Sequence, residues 1–156
     1  MRLHVAAPGK LHHPGAIAWA DDLYGRVRRI LPVERRPVRQ ARRGKGGVDP
    51  TARDREDVAL VGQMPQGSVG VALEPGGQAM NSDRFANWLV GHAEAGTKDL
   101  CFFIGGPDGL GPQVRGACRE TLALSPMVLP HELAEVVLLE QIYRALTRWK
   151  NLPYHR

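Results

Sequence analysis

The chain has 156 residues, 43% of them apolar and 24% charged, with a net charge of +5 and two cysteines. That length fits one domain with a real core, and no apolar run approaches the roughly 18 residues of a membrane span. Two thiols are too few for a disulfide framework. Cys101 and Cys118 lie among apolar or small residues and are expected to be buried and free. The start of the chain, Met1 to Ala7, reads as a first strand without the longer apolar core of a signal peptide. A cytoplasmic protein follows as the expectation.

Residues 3–7 predict a short strand. Ile17, Ala20, Leu23, Tyr24, Val27, Ile30 and Leu31 recur at helical spacing, which predicts a helix over 14–31. Residues 33–39 suit an edge strand, because Pro37 cannot donate to a ladder. Residues 41–48 carry arginine, lysine and glycine and predict a mobile basic loop. Asp49-Pro50 supplies a cap and a first helical residue for a helix to about Gln63. A strand over 69–73, a turn at Glu74-Pro75-Gly76-Gly77, and a helix from a Ser82 cap to about Gly96 come next. Residues 100–104 form a buried-type strand. Gly111-Pro112 opens a helix expected to reach about Ala123, and Met127 to Leu129 predicts a last short strand. The longest helix spans 131–149, with Leu138, Ile142, Ala145, Leu146 and Trp149 on one stripe. Strands alternating with helices predict an α/β fold with a mostly parallel sheet.

Charge is concentrated rather than spread. Residues 26–55 hold ten arginines and one lysine. Guanidinium forks suit phosphate and stack on bases, so a nucleic-acid partner and a solvated basic face are both open readings. Arg42 and Arg43 in this stretch are candidate RNA contacts. Ligands of parallel sheets sit beyond the carboxyl ends of strands, which points to three loops, 73–77, 104–109 and 124–130. The sharpest is Ile104-Gly105-Gly106-Pro107-Asp108-Gly109-Leu110, where an apolar run stops at glycines that let backbone approach something closely. It lacks the Gly-Lys-Ser/Thr of a phosphate loop, and Asp108 argues against a phosphate ligand. The histidines show no metal-ligand spacing, so no metal is expected. Cys101 inside an apolar strand is a poor nucleophile.

Further motifs stand in order along the chain: Leu122-Ala123-Leu124-Ser125, Leu129-Pro130-His131, Glu140 to Ala145, and Pro153-Tyr154-His155-Arg156. Gly9-Lys10-Leu11 followed by Tyr24, and Leu73-Glu74 before the Ser82 helix, are weaker echoes. Together these resemble the ribosomal RNA large subunit methyltransferase H family, a SPOUT-class group of small bacterial enzymes, over essentially the whole chain.

The resemblance implies one SPOUT-type domain over 1–156, with a deep trefoil knot across about 70–156. Sequence-level topology rules alone would have disfavoured a knot. It implies S-adenosylmethionine as cofactor, held by Leu73, Gly105 and the run Leu124, Ser125, Pro126, Met127, Val128, Leu129. The implied reaction is methylation at N3 of a pseudouridine in large-subunit ribosomal RNA, on assembled ribosomes. Loss of the N3 proton makes a general base useful. His155 is the first candidate for that base or for orienting substrate, beside Tyr154 and Arg156. Arg144 and Arg156 are candidates to grip RNA phosphate, and an i,i+4 pair with Glu140 accounts for Arg144 equally well. His131 reads as structural, at a helix start. A homodimer is expected, each site combining one subunit's knot with the other's tail or N-terminal face. The alternative is a non-catalytic ribosome-binding or RNA-binding factor that keeps the fold. Pro8 before Gly9-Lys10, the His12-His13-Pro14-Gly15 helix start and the arginine- and glycine-rich 39–48 stretch depart from the family pattern and bear on RNA contacts rather than on the cofactor motifs.

Overall fold

The computed structural model describes residues 1–43 and 48–154. Its elements run β1 (Arg2–Pro8), α1 (Pro14–Arg28), β2 (Val33–Val38), α2 (Pro50–Val61), β3 (Val69–Ala79), α3 (Ser82–Glu94), β4 (Asp99–Ile104), α4 (Pro112–Ala117), β5 (Glu120–Ala123) and α5 (His131–Trp149). The five strands form one sheet in the order β2-β1-β4-β3-β5, and every pairing is parallel.

That order dictates where the helices go. β1 to β2 and β3 to β4 step one way across the sheet, while β2 to β3 and β4 to β5 step the other way. Crossovers between parallel strands are right-handed. Steps in opposite directions therefore put their helices on opposite faces. On one face, Leu23 and Val27 of α1, Phe85 and Leu89 of α3, and Leu138, Ile142 and Leu146 of α5 cover Leu3, Val5 and Phe102. On the other, Leu60 of α2 and Val114 of α4 cover Ala6, Ala72, Cys101 and Phe103. β4 lies between β1 and β3 and is buried on both sides, so Phe102 and Phe103 point opposite ways and are both fully enclosed. That is why its sequence is a continuous apolar run rather than an alternation. Pro37 sits in edge strand β2, where a missing donor faces no partner.

Four local expectations need correction. The helix opening at Gly111-Pro112 ends at Ala117, and Cys118 turns extended at φ −86°, ψ 140°. The fifth strand is 120–123, not 127–129; residues 124–130 form an irregular loop containing Pro126 and Pro130. The sequence misleads here because Val114, Ala117, Cys118, Thr121 and Leu122 fall at helical spacing by chance. Gly116 weakens the helix, and pairing of 120–123 with the free edge of β3 decides the outcome. Residues 74–77 do leave the ladder, but as a bulge. β3 resumes beyond them, the register to Leu122 shifting from Leu73 to Gln78. The cap of α3 is Asn81, whose Oδ1 accepts from Arg84 N at 2.8 Å, and Ser82 is the first helical residue.

Candidate functional site

β3 and β4 are neighbours whose following helices lie on opposite faces. The loops leaving their carboxyl ends therefore part company, and a crevice opens between them. Such a divergence is the usual ligand position in open α/β sheets. A cleft of about 490 Å³ occupies it, within the range of small-molecule sites. Leu73 to Pro75 from the end of β3, Ile104 to Pro107 with Gly109 and Leu110 from the end of β4, and Leu124, Ser125 and Met127 to Pro130 from the β5–α5 loop line it. His131 and Ala134 from the start of α5 and Arg115 from α4 complete the lining. All three loops expected from the sequence converge here. Leu73, Gly105, Leu124, Ser125, Met127, Val128 and Leu129 all face the cleft. Pro126 belongs to the same loop without lining the cavity.

The glycine loop is a tight hairpin. Gly109 N donates to Gly106 O at 2.9 Å, across Pro107 and Asp108. Gly105 must lack a side chain, since a Cβ there would sit 2.5 Å from the carbonyl carbon of Gly109. The loop is braced from behind by two consecutive carboxylates of α2. Glu56, almost fully buried, takes both terminal nitrogens of Arg43 at 2.9 and 2.7 Å. Arg43 Nε donates to Asp108 at 2.8 Å. That bond holds the Asp108 carboxyl below the usual carboxylate range. Asp57, 1% exposed, accepts from Gly111 N at 2.9 Å and from Val114 N at 3.3 Å. It caps α4, whose own cap position Gly111 has no side chain to do so. In the rim loop, Ser125 Oγ accepts from Met127 N at 2.9 Å. Met127 and Val128 stand 74% and 82% exposed at the mouth.

A second polar assembly fixes the first turns of α5. Glu135 is fully buried and receives Arg35 through two nitrogens, at 2.7 and 3.1 Å, and Tyr24 Oη at 3.0 Å. Burial and that carboxylate push the Tyr24 phenol well above its ordinary range. Glu132 accepts from the amides of His12 and His13 at 3.0 and 2.9 Å, which ties the β1–α1 loop to α5.

The remaining candidates lie elsewhere. Arg144 bonds Glu140 at 2.6 Å, as the i,i+4 spacing allowed. Tyr154 packs its ring 4.6 Å from that of Tyr143, beneath the Arg144 guanidinium at 5.4 Å. Burial first and then Glu140 raise the Tyr154 phenol. This cluster sits nine to thirteen residues along α5 from His131, roughly 14–20 Å at 1.5 Å per residue. Arg42 is exposed, whereas Arg43 is committed to Glu56 and Asp108. His155 and Arg156 lie outside the described residues, as does the 44–47 part of the expected basic loop. Glu74 and Arg115, which line the cleft and pair at 2.8 Å, were not among the expected site residues. Glu74 adjoins Leu73 and had a signal in that position; nothing in the sequence marked Arg115. Among the described residues no three His, Cys, Asp or Glu side chains cluster to hold a metal, and no helix is long and apolar enough to cross a membrane.

Comparison with known proteins gives a consistent picture. A family model described as "Predicted SPOUT methyltransferase" matches residues 1–155. The chain is 37% identical over 156 residues to the ribosomal RNA large subunit methyltransferase H of Gemmatimonas aurantiaca, covering 100% of each. It is 37% identical over 155 residues to that of Citrifermentans bemidjiense, covering 99% of each. Among solved structures, the tRNA (m1G37) methyltransferase of Aquifex aeolicus superposes with a TM-score of 0.55 at 14% identity, over 92% of this chain and 70% of that one. That likeness speaks to the fold.

Proposed function

The chain belongs to the SPOUT methyltransferase family, with the ribosomal RNA large subunit methyltransferase H proteins among its relatives, and on that premise we propose that it methylates N3 of a pseudouridine in large-subunit ribosomal RNA. The methyl donor is S-adenosylmethionine and the substrate is the assembled ribosome, in the cytoplasm. The observation that carries the reading is the convergence of Leu73, Gly105 and the 124–129 loop on one cleft.

The cleft suits such a cofactor. Its walls are largely apolar, from Leu73, Ile104, Leu110, Leu124 and Leu129, as sandwiching a purine requires, with backbone of the glycine loop close at hand. Bound there, S-adenosylmethionine supplies an activated methyl group, so the protein has mainly to position reactants. Leu73, Gly105 and Leu124 to Leu129 hold the cofactor. His155 takes the N3 proton or orients the base, with Tyr154 and Arg156 beside it. Arg144, Arg156, Arg42 and Arg43 are the RNA-side candidates. Of these, Arg43 is better suited to bracing the glycine loop, given its bonds to Glu56 and Asp108.

The reading includes a homodimer and a trefoil knot over about 70–156. Tyr154 docks on its own α5 far from its own cleft, which favours completion of each site by a second copy's tail. Exposed Ile17, Trp19 and Leu133 on α1 and α5 are available for such a contact. The close approach of Leu122 backbone to Gly77, where a Cβ would lie 2.7 Å away, supports tight threading of β5 past the β3 bulge.

The test is calorimetric titration of S-adenosylmethionine into the wild type and into Gly105→Arg, followed by labelled methyl transfer to unmodified ribosomes. Binding abolished by the substitution, and label at a pseudouridine, are expected. Cofactor binding without transfer to ribosomes would replace this reading with a binding factor. His155→Ala should lower turnover and leave cofactor affinity intact; unchanged turnover would remove His155 from the mechanism.

A further inference from the structure

We propose that Glu74 and Arg115 form a subsite for a zwitterionic amino-acid tail, Arg115 taking the α-carboxylate and Glu74 the α-ammonium of the cofactor. The inference rests on the cofactor assignment above and adds the residues that read the ligand's non-adenosine end. Among the described residues lining the cleft, Glu74 is the one carboxylate and Arg115 the one guanidinium. Among the described residues, the carboxylates and the arginine that brace the glycine loop are already engaged with one another or with backbone. Asp108 and Glu56 share Arg43, and Asp57 occupies the amides at the start of α4. The Ser125 hydroxyl is engaged by Met127 N. Among the described residues lining the cleft, an arriving carboxylate therefore finds one guanidinium, and an arriving ammonium one carboxylate.

The fold places this pair deliberately apart from the core. Glu74 is the first residue of the bulge that interrupts β3, so it leaves the ladder immediately after Leu73 and turns to the cleft. Arg115 reaches it from α4, on the far side of the glycine loop, with Nε 2.8 Å from Glu74 Oε2. The Arg115 side chain is 54% exposed and that of Glu74 20%. An ion pair so open to water stabilises a fold very little, and exchanging it for two ligand contacts costs correspondingly little. Arginine's planar fork matches a carboxylate through two parallel bonds. Opposite charges side by side in an otherwise apolar cleft are complementary to a ligand that carries both charges on one carbon.

The test is a grid of affinities. S-adenosylmethionine, its decarboxylated analogue and 5′-methylthioadenosine, which lacks the whole tail, are titrated into the wild type, Arg115→Ala and Glu74→Gln. Arg115→Ala should weaken S-adenosylmethionine at least tenfold and leave the decarboxylated analogue and methylthioadenosine no weaker than in the wild type. Glu74→Gln should weaken both amine-bearing ligands at least tenfold and spare methylthioadenosine, whose retained binding also reports an intact fold. Arg115→Lys should recover part of the loss. Equal losses for all three ligands, or none for S-adenosylmethionine, would overturn the subsite while leaving the cofactor assignment standing. A wild type that binds none of the three overturns the assignment and the subsite together.

Discussion

Asp57→Ala isolates the brace behind the glycine loop. The residue is 1% exposed and its two oxygens receive Gly111 N at 2.9 Å and Val114 N at 3.3 Å. Truncation leaves both amides without that partner, in a place water reaches poorly. An orphaned buried donor costs about 1–3 kcal/mol. The longer bond belongs at the low end of that range, so the sum is about 3 kcal/mol. For a chain of this size that corresponds to a fall in Tm of roughly 6–12 °C. Asp57→Asn keeps one acceptor oxygen and should lose about half as much. The assay is urea denaturation, comparing midpoints at constant m-value, with cofactor titration in parallel. Affinity should fall severalfold in the alanine variant, because Leu110 lines the cleft one residue before the amide that Asp57 holds. An alanine variant within about 0.5 kcal/mol of the wild type, the scale of ordinary surface substitutions, would refute the claim that Asp57 anchors this loop.

Gly105→Ala forces a Cβ to 2.5 Å from Gly109 backbone, so the hairpin must shift; cofactor affinity should drop at least tenfold while the protein stays folded, and unchanged affinity would contradict the close-packed loop. The hydrogen bond from His4 depresses the Asp99 carboxyl below its ordinary 3.8. A depressed folded-state value means the unfolded chain binds the extra proton first, so the stabilisation is present above pH 3.8 and is lost as the pH falls below it. The stability gap between wild type and Asp99→Asn should accordingly close on that acid limb; a gap constant down to full protonation would be inconsistent with the bond. Burial pushes both the Cys101 and the Cys118 thiol up to about 12, so iodoacetamide at pH 8 should label the native protein slowly and the urea-unfolded protein quickly. Equal rates would deny that burial suppresses the thiolates.

Much of the architecture was legible because it is written locally. The unbroken run Leu100 to Ile104 announces a strand covered on both faces, Asp49-Pro50 a helix start, and Pro37 an edge. The individual residues lining the cleft were legible only through the family motifs; the strand and helix pattern alone pointed no further than to three loops. What escaped depends on partners far away in the chain. Strand β5 exists because β3 offers a free edge, which a helical spacing of Val114, Ala117, Cys118, Thr121 and Leu122 conceals. Asp57 and Gly111 are 54 residues apart, Tyr24 and Glu135 are 111 apart, and Arg115 and Glu74 are 41 apart. Each acid or base by itself looks like any surface charge. Arg43 is the clearest instance: in sequence it belongs to a basic stretch, and in space it is the counter-ion of two carboxylates.

The position of β4 has a consequence for how the chain is made. It is the fourth strand to leave the ribosome but the middle one of the sheet, and it separates β1 from β3. Until it arrives, β1 can pair only with β2, and β3 has no neighbour at all. His4 waits for Asp99 across 95 residues of synthesis, roughly 5–20 s at ordinary elongation rates of about 5–20 residues per second. During that interval two strand edges meant for the centre of the sheet stand open, the situation in which nascent chains associate wrongly. A nascent chain stalled just short of Asp99 should therefore be the form most dependent on chaperones, and release of six more residues the event that frees it.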